Sequence, residues 1–329
     1  MFVRNALIKS FLLIITFLRL MSFQDLDRIL NKELSIIAGP ASSDLANRIA
    51  SRLNAELIPA EVNIFTDGES KVRLTNVNGR NCVIVQSTYP PTDRHILQML
   101  MMIKKCKDDG AAIVCTVIPY MAYSRQDKSF LDGEVVSIKL IANLLESLGT
   151  NMIVTVDIHN IDAISYFKIN TKNISAIPSL ATYVIDKMKL DKPLVISPDI
   201  GGIKRAEQFA SILDTEMIPL KKYRDRNTGQ ISIADGILDF GVNGRDVLII
   251  DDMISSGMSV IKACELLKKN KSGQIYAICT HGLLLNNAKE KIRSAGVQDI
   301  ITTNSIPSEF SKVDLSQDIS ENLSYMMNT

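Results

Sequence analysis

Asp251 and Asp252 stand side by side at the end of the apolar run Val247–Ile250, and Ser255, Ser256, Gly257, Met258 and Ser259 follow them. Adjacent carboxylates accept hydrogen bonds from hydroxyl groups. A small-residue loop that opens a helix aims backbone N–H groups and the positive end of the helix dipole at an anion. Hydroxyls on one side and phosphate on the other is the chemistry of a sugar phosphate. The plainer alternative is a strand-to-helix turn with surface acids, but paired Asp at a buried strand's end need a partner. Asp157-Ile158-His159 runs on from the apolar Met152–Val156, and His159 is one of 3 histidines. An Asp-x-His at a strand end reads as a ligand, while His95 and His281 read as structural. Asp199 precedes Gly201-Gly202, where backbone can approach a ligand. By residue type alone, Lys221-Lys222-Tyr223-Arg224-Asp225-Arg226 is a solvated basic run, and Asp67-Gly68 within Phe65–Ser70 is a hairpin turn.

Strands alternating with helices must position these groups. Strands are expected at Leu34–Ala38, Asn81–Gln86, Ala111–Ile118, Met152–Val156, Leu194–Ser197, Glu216–Pro219, Val247–Ile250, Gln274–Cys279 and Asp299–Thr302. Most are short, apolar and rich in β-branched residues, as suits strands buried on both faces. Helices are expected at Asp44–Leu53, capped by Ser42 or Ser43, and at Asp93–Lys105, Val135–Ser147 and Ser179–Met188. Further helices run to Leu213, through Ile261–Leu267 and near Asn286–Ser294, and the tail from Ser308 is polar with scattered apolar residues. The polar stretch Pro119–Glu134 is long for a strand-to-helix connection and is a candidate functional loop. Asn81–Thr116 and Asp246–Thr280 repeat strand, loop, helix and strand in order, with Gln86-Ser87 placed opposite Asp251-Asp252. This pattern predicts a duplicated α/β domain with mainly parallel sheets and ligands at the strands' carboxyl ends.

The chain has 329 residues, 46% hydrophobic, with 37 Lys+Arg against 36 Asp+Glu. That length suits two α/β domains. A net charge of +1 without basic tracts speaks against nucleic acid as a partner. The cysteines Cys82, Cys106, Cys115, Cys264 and Cys279 lack paired spacing and read as buried thiols of a cytoplasmic protein. Phe11–Phe17 is apolar but too short to span a bilayer, so no membrane association is expected. Met21-Ser22 offers a second start, so residues 1–21 are expected to be an N-terminal extension from a mis-called start, with a surface helix or a targeting signal as the alternatives. Residues 22–168 and 169–329 form the two domains, with the change-over near Lys168–Asn173.

Taken together, the motifs FTDGES (Phe65–Ser70), YSRQDK (Tyr123–Lys128), TVDIH (Thr155–His159), SPDIGG (Ser197–Gly202), the Lys222/Arg224 segment and VLIIDDMISSG (Val247–Gly257) resemble the ribose-phosphate pyrophosphokinase family. The resemblance covers Leu34–Pro307 in order, and the RQDKSFLDGE and ISSG sequences look closer to its archaeal members. It implies two type I phosphoribosyltransferase-like domains and transfer of the β,γ-diphosphoryl group of ATP to the 1-hydroxyl of ribose 5-phosphate. It further implies that Phe65, Asp67, Gly68 and Glu69, with Arg125 and Gln126, bind ATP. His159 and Asp199 would hold Mg²⁺, with Asp157 shaping that site. Lys222 and Arg224 would stabilise the migrating group from a mobile flap, with Lys221 and Arg226 as the neighbouring candidates. Arg224, Asp251, Asp252 and Ser255–Ser259 would bind ribose 5-phosphate, and the family's habit of sharing sites between subunits implies a homo-oligomer. Ser255 replaces a frequent Asp and Met258 a common glycine, while Lys168 and Lys172 stand where relatives carry further acids. The competing readings are a phosphoribosyltransferase, which has no use for FTDGES, SRQDK or DIH, and a non-catalytic homologue, which should have lost charge at Lys222, Arg224, His159 and Asp199.

Overall fold

The computed structural model describes residues 34–220, 222–224, 231–233 and 241–328. The expected extension over residues 1–21, and Lys221 and Arg226, lie outside the described residues. The first domain opens with β1 (Leu34–Ala38), α1 (Ser43–Leu53) and β2 (Glu56–Pro59). β3 (Glu61–Ile64) and β4 (Ser70–Arg73) then form an antiparallel hairpin around the Asp67-Gly68 turn, where Gly68 has φ +93°. β5 (Asn81–Val85), α2 (Thr92–Asp108), β6 (Ile113–Ile118), α3 (Ser137–Ser147), β7 (Met152–Val156) and β8 (Asn170–Ile174) follow. The resulting sheet is parallel, in the order β2-β1-β5-β6-β7-β8. Because β8 pairs with β7, this sheet reaches Ile174, past the change-over expected near Lys168–Asn173. At the start of α1, the hydroxyls of Ser42 and Ser43 do not cap the helix. Ser42 Oγ accepts from Ser87 N at 2.9 Å, and Ser43 Oγ donates to Gly39 O at 3.2 Å.

The second domain repeats the plan. α4 (Ile177–Tyr183) continues as a wider turn to Met188, and β9 (Leu194–Ser197), α5 (Ile203–Ile212) and β10 (Met217–Pro219) come next. β11 (Lys222–Arg224) and β12 (Ile231–Ile233) pair antiparallel. They follow β10 as the β3–β4 hairpin follows β2. β13 (Val247–Ile254), α6 (Met258–Lys269), β14 (Ile275–Gly282), α7 (Ala288–Ala295), β15 (Asp299–Thr303), β16 (Ser311–Val313) and α8 (Ser316–Asn328) complete the chain. The second sheet is parallel in the matching order β10-β9-β13-β14-β15-β16. The duplicated fold is therefore borne out.

Three expectations need correction here. β13 does not stop at Ile250: it runs through both acids, with Asp251 opposite Cys279 and Met253 opposite His281. Ladder partners also shift the repeat's register. Asn81 pairs with Leu34 and Ile113 as Val247 pairs with Leu194 and Ile275, so Asp252 takes the place of Gln86 and Asp251 that of Val85. The tail from Ser308 is likewise more than a polar end. Leu315, Ile319, Leu323 and Met326 recur at helical spacing and bury one stripe of α8.

Alternating residues on each central strand serve two cores. Val83, Val85, Leu248 and Ile250 join Phe209, Leu180, Ile319 and Leu323 in one apolar layer between the sheets, into which α1, α4, α5 and α8 pack. Cys82 and Ile84 face α2 and α3 on one outer side, and Val247 and Ile249 face α6 and α7 on the other. A shared inner layer fixes the two sheets against each other, as an obligate domain contact must. All five cysteines are free and buried. Among the described residues, no helix is long and apolar enough to cross a membrane.

Candidate active site

In an open parallel sheet, the crevice at the carboxyl ends of two strands whose connections diverge is the natural binding place. In the second sheet β9 and β13 are that pair, and a cavity of about 570 Å³ opens there. Asp199 and Gly202 reach it from the end of β9, Arg205 from α5, and Asp251–Val260 from β13 and the start of α6. The first domain closes the other side with Arg125, Asp127, Lys128 and Phe130 from the long loop after β6, and His159 and Asn160 from the turn after β7.

The floor is acidic and its carboxylates are largely buried. Asp252 is 4% exposed, and its Oδ2 lies 2.6 Å from His159 Nδ1, a contact that crosses between the domains. Arg205 Nη1 lies 3.8 Å from Oδ1 of both Asp251 and Asp252. Burial pushes the Asp251 carboxyl well above the usual range, and the charges of Asp252 and Asp199 push the same way. Burial acts on Asp252 too, but the hydrogen bond from His159 and the positive charge of Arg205 outweigh it and hold Asp252 below the usual range. Of two neighbouring carboxyls, one is thus kept ionised and the other driven towards its protonated form.

The opposite wall is built for an anion. Gly257 turns the chain into α6 with φ +77°, and a Cβ there would come within 2.7 Å of Ile292 Cδ1, so only glycine fits. The first turn of a helix has backbone N–H groups without intrahelical partners. Those of α6 begin at Met258 and Ser259, which line the cavity.

Asp157 is not among the residues lining the cavity. Its Oδ2 accepts from Thr280 Oγ1 at 2.6 Å and Ala176 N at 3.1 Å, so it ties strands together instead of facing a ligand. Phe65, Asp67, Gly68 and Glu69 also lie away from it, at the tip of the β3–β4 hairpin, with Phe65 46% exposed. Gln126 is turned aside, its Oε1 accepting from Ser137 Oγ at 2.5 Å. Lys222 and Arg224 have backbones paired in the β11–β12 hairpin; their side chains lie outside the described residues. Arg205, Asp127, Lys128, Phe130 and Asn160 were not anticipated as site residues. Four of them sit in or beside quoted motifs, and Arg205 follows the Gly-Gly turn by one helical turn, but only packing shows that they converge.

No group of three or more His, Cys, Asp or Glu side chains converges as a cation cage among the described residues. The donor set nevertheless fits a magnesium ion. Mg²⁺ usually takes one or two protein groups and completes its shell with water and substrate phosphate. An ionised Asp252 is an acceptor only, so His159 Nδ1 donates in their hydrogen bond and Nε2 is the ring nitrogen left to face a cation.

Comparison with known proteins agrees with this architecture. Residues 34–149 match the model of the N-terminal domain of ribose phosphate pyrophosphokinase, and residues 235–328 match that of the phosphoribosyl synthetase-associated domain. The ribose-phosphate pyrophosphokinase of Methanobrevibacter smithii is 38% identical over 292 residues, covering 86% of this chain and 98% of its own. That of Sulfurisphaera tokodaii is 34% identical over 279 residues, covering 84% and 95%. The crystal structure of phosphoribosylpyrophosphate synthetase from Mycobacterium smegmatis superposes with a TM-score of 0.81 at 25% identity, covering 90% of this chain and 99% of that one. With two family models matched in order and these relatives aligned almost end to end, the chain belongs to the ribose-phosphate pyrophosphokinase family.

Proposed function

We propose that this protein transfers the β,γ-diphosphoryl group of ATP to the 1-hydroxyl of ribose 5-phosphate, giving phosphoribosyl pyrophosphate and AMP. One observation carries the assignment of roles: His159 and Asp199, from different domains, share a single cavity with the Asp251-Asp252 pair and the start of α6. The 5-phosphate sits on the N-terminal turn of α6, held by Ser255–Ser259. Asp252, and Asp251 when ionised, accept from the ribose hydroxyls and so fix the face that the sugar presents. Arg125 and Lys128 meet the triphosphate from the first domain. His159 and Asp199 are the residues that hold Mg²⁺, which supplies charge neutralisation on the ATP phosphates when bound. The ribose 1-oxygen bonds to the β-phosphorus, the bond from that phosphorus to the α-phosphate oxygen breaks, and AMP leaves while the hydroxyl proton is released. In such a transfer the protein mainly positions the reactants and neutralises charge, and positioning two substrates can supply roughly 7–11 kcal/mol. Lys222 and Arg224 bring the cations that act in the transition state from the β11–β12 hairpin.

Phe65, Asp67, Gly68 and Glu69 stand exposed beside Ile64, itself 46% exposed, and away from their own chain's cavity. We assign them to the adenine site of a second copy, which makes the working protein a homo-oligomer, and its free, buried cysteines suit the cytoplasm. The test of the reaction is direct. Protein supplied with MgATP and ribose 5-phosphate should form AMP and phosphoribosyl pyrophosphate in equal amounts, read by chromatography of labelled ATP. Release of ADP, or of diphosphate only when a nucleobase is added, would sink the assignment.

A further inference from the structure

Asp157 directly follows β7 with φ +36°, a left-handed conformation that costs a non-glycine residue energy unless its surroundings hold it. Its own domain supplies two restraints: Asp157 N donates to Ile174 O at 2.9 Å, and Ile158 N donates to Asn173 Oδ1 at 2.9 Å. The rest come from elsewhere. Ala176 N and Thr280 Oγ1 both donate to Asp157 Oδ2, at 3.1 and 2.6 Å. His281 Nε2 lies 3.1 Å from Val156 O and 3.4 Å from Asp157 O. Carbonyls only accept, so Nε2 carries the proton, and Nδ1 lies 2.9 Å from Ser305 Oγ. Thr280 is fully buried and His281 is 2% exposed.

These contacts close a ring through both domains. β14, which carries Thr280 and His281, pairs along its length with β13, which carries Asp251 and Asp252. From β14 the hydrogen bonds cross to Val156 and Asp157. Two residues later His159 returns to Asp252 at 2.6 Å. We infer that Thr280 and His281 are positioning residues, which hold the left-handed turn at Asp157 so that His159 stands at a set distance from the Asp251-Asp252 pair. The inference rests on the reading of His159 as a group that holds the nucleotide's metal. Neither residue lines the cavity.

Thr280→Val keeps shape and burial but removes the hydroxyl, Thr280→Ala removes it with a smaller side chain, and Thr280→Ser keeps it. Binding of MgATP and of ribose 5-phosphate is measured separately by calorimetry, with turnover and melting temperature alongside. Removing a partner that orients a metal-holding histidine costs about tenfold or more in affinity. Thr280→Val and Thr280→Ala should weaken MgATP binding by about that factor and lower kcat, with ribose 5-phosphate affinity unchanged and Thr280→Ser restoring both. A purely structural Thr280 would lower the melting temperature while leaving both affinities intact, or would weaken both substrates equally; either result overturns the inference. Wild-type protein that bound ribose 5-phosphate but no MgATP would instead overturn the nucleotide reading, and this one with it.

Discussion

Asp251 and Asp252 are adjacent in sequence, yet the site uses them differently. Alternation along β13 sends them to opposite sides of the strand, and Asp252 alone meets His159. By motif both acids belong to the ribose; the cross-domain hydrogen bond adds a second duty to Asp252. A hydrogen bond to a charged group is worth about 1.5–3 kcal/mol, and about 1.4 kcal/mol is tenfold in affinity. Burial drives Asp251 towards its neutral form, so Asp251→Asn exchanges one neutral hydrogen-bonding group for another and should weaken ribose 5-phosphate binding by about tenfold at most, the loss of one neutral hydrogen bond, and spare MgATP. Asp252→Asn should weaken both, because it also releases His159. Calorimetry with each substrate checks this, and a variant pair with identical profiles would show that the acids are interchangeable.

At the scale of elements, the turn before α8 decides how the C-terminal helix meets the first domain. Asp314 Oδ1 accepts from Ser316 N and from Asn304 Nδ2, and Arg48 of α1 lies 3.5 Å from Asp314 Oδ2. Arg52 Nε, also on α1, donates to Ser316 Oγ at 2.8 Å. Burial tends to raise the Asp314 carboxyl, but the hydrogen bonds from Ser316 and Asn304 and the charge of Arg48 leave it below the usual range. A depressed folded-state value means that the stabilisation is present at neutral pH and fades as pH falls through that value. Asp314→Ala should destabilise by about 1–2 kcal/mol at pH 7, and the gap from wild type should narrow in acid. Thermal melts across pH read it; a gap that widens in acid would contradict this account. The β3–β4 and β11–β12 hairpins make the complementary point. They occupy matching places in the duplicated plan, and each carries residues assigned to the reaction.

For the whole molecule, one chain gathers the residues proposed to hold the pentose and the metal in one cavity but leaves the FTDGES hairpin turned outward. If that hairpin serves a neighbour, two defective chains should repair each other. Asp67→Ala and Lys222→Ala, each nearly inactive alone, should regain about one quarter of wild-type activity when unfolded together and reassembled in equal amounts, since random pairing leaves one site in four with both parts intact. Light scattering should show the same assembly size for all mixtures. No recovery despite mixed assemblies would mean that each hairpin serves its own chain.

Much of this was legible before any tertiary structure. The strands Leu34–Ala38, Met152–Val156 and Leu194–Ser197 fall where apolar β-branched runs place them, because a strand buried on both faces leaves its mark in a few consecutive residues. The duplication was visible for the same reason: repeated local patterns need no long-range information. What tertiary structure decided is which residues meet. The continuation of β13 through both acids follows from its pairing with β14, the stripe of α8 from its seat against α1, and the convergence of Arg205, Asp127 and Lys128 on the cavity from how the sheets pack. The bond from His159 to Asp252 spans 93 residues of chain. Such contacts depend on two independently written segments arriving at one point, and that arrival is set by the shared apolar layer between the sheets.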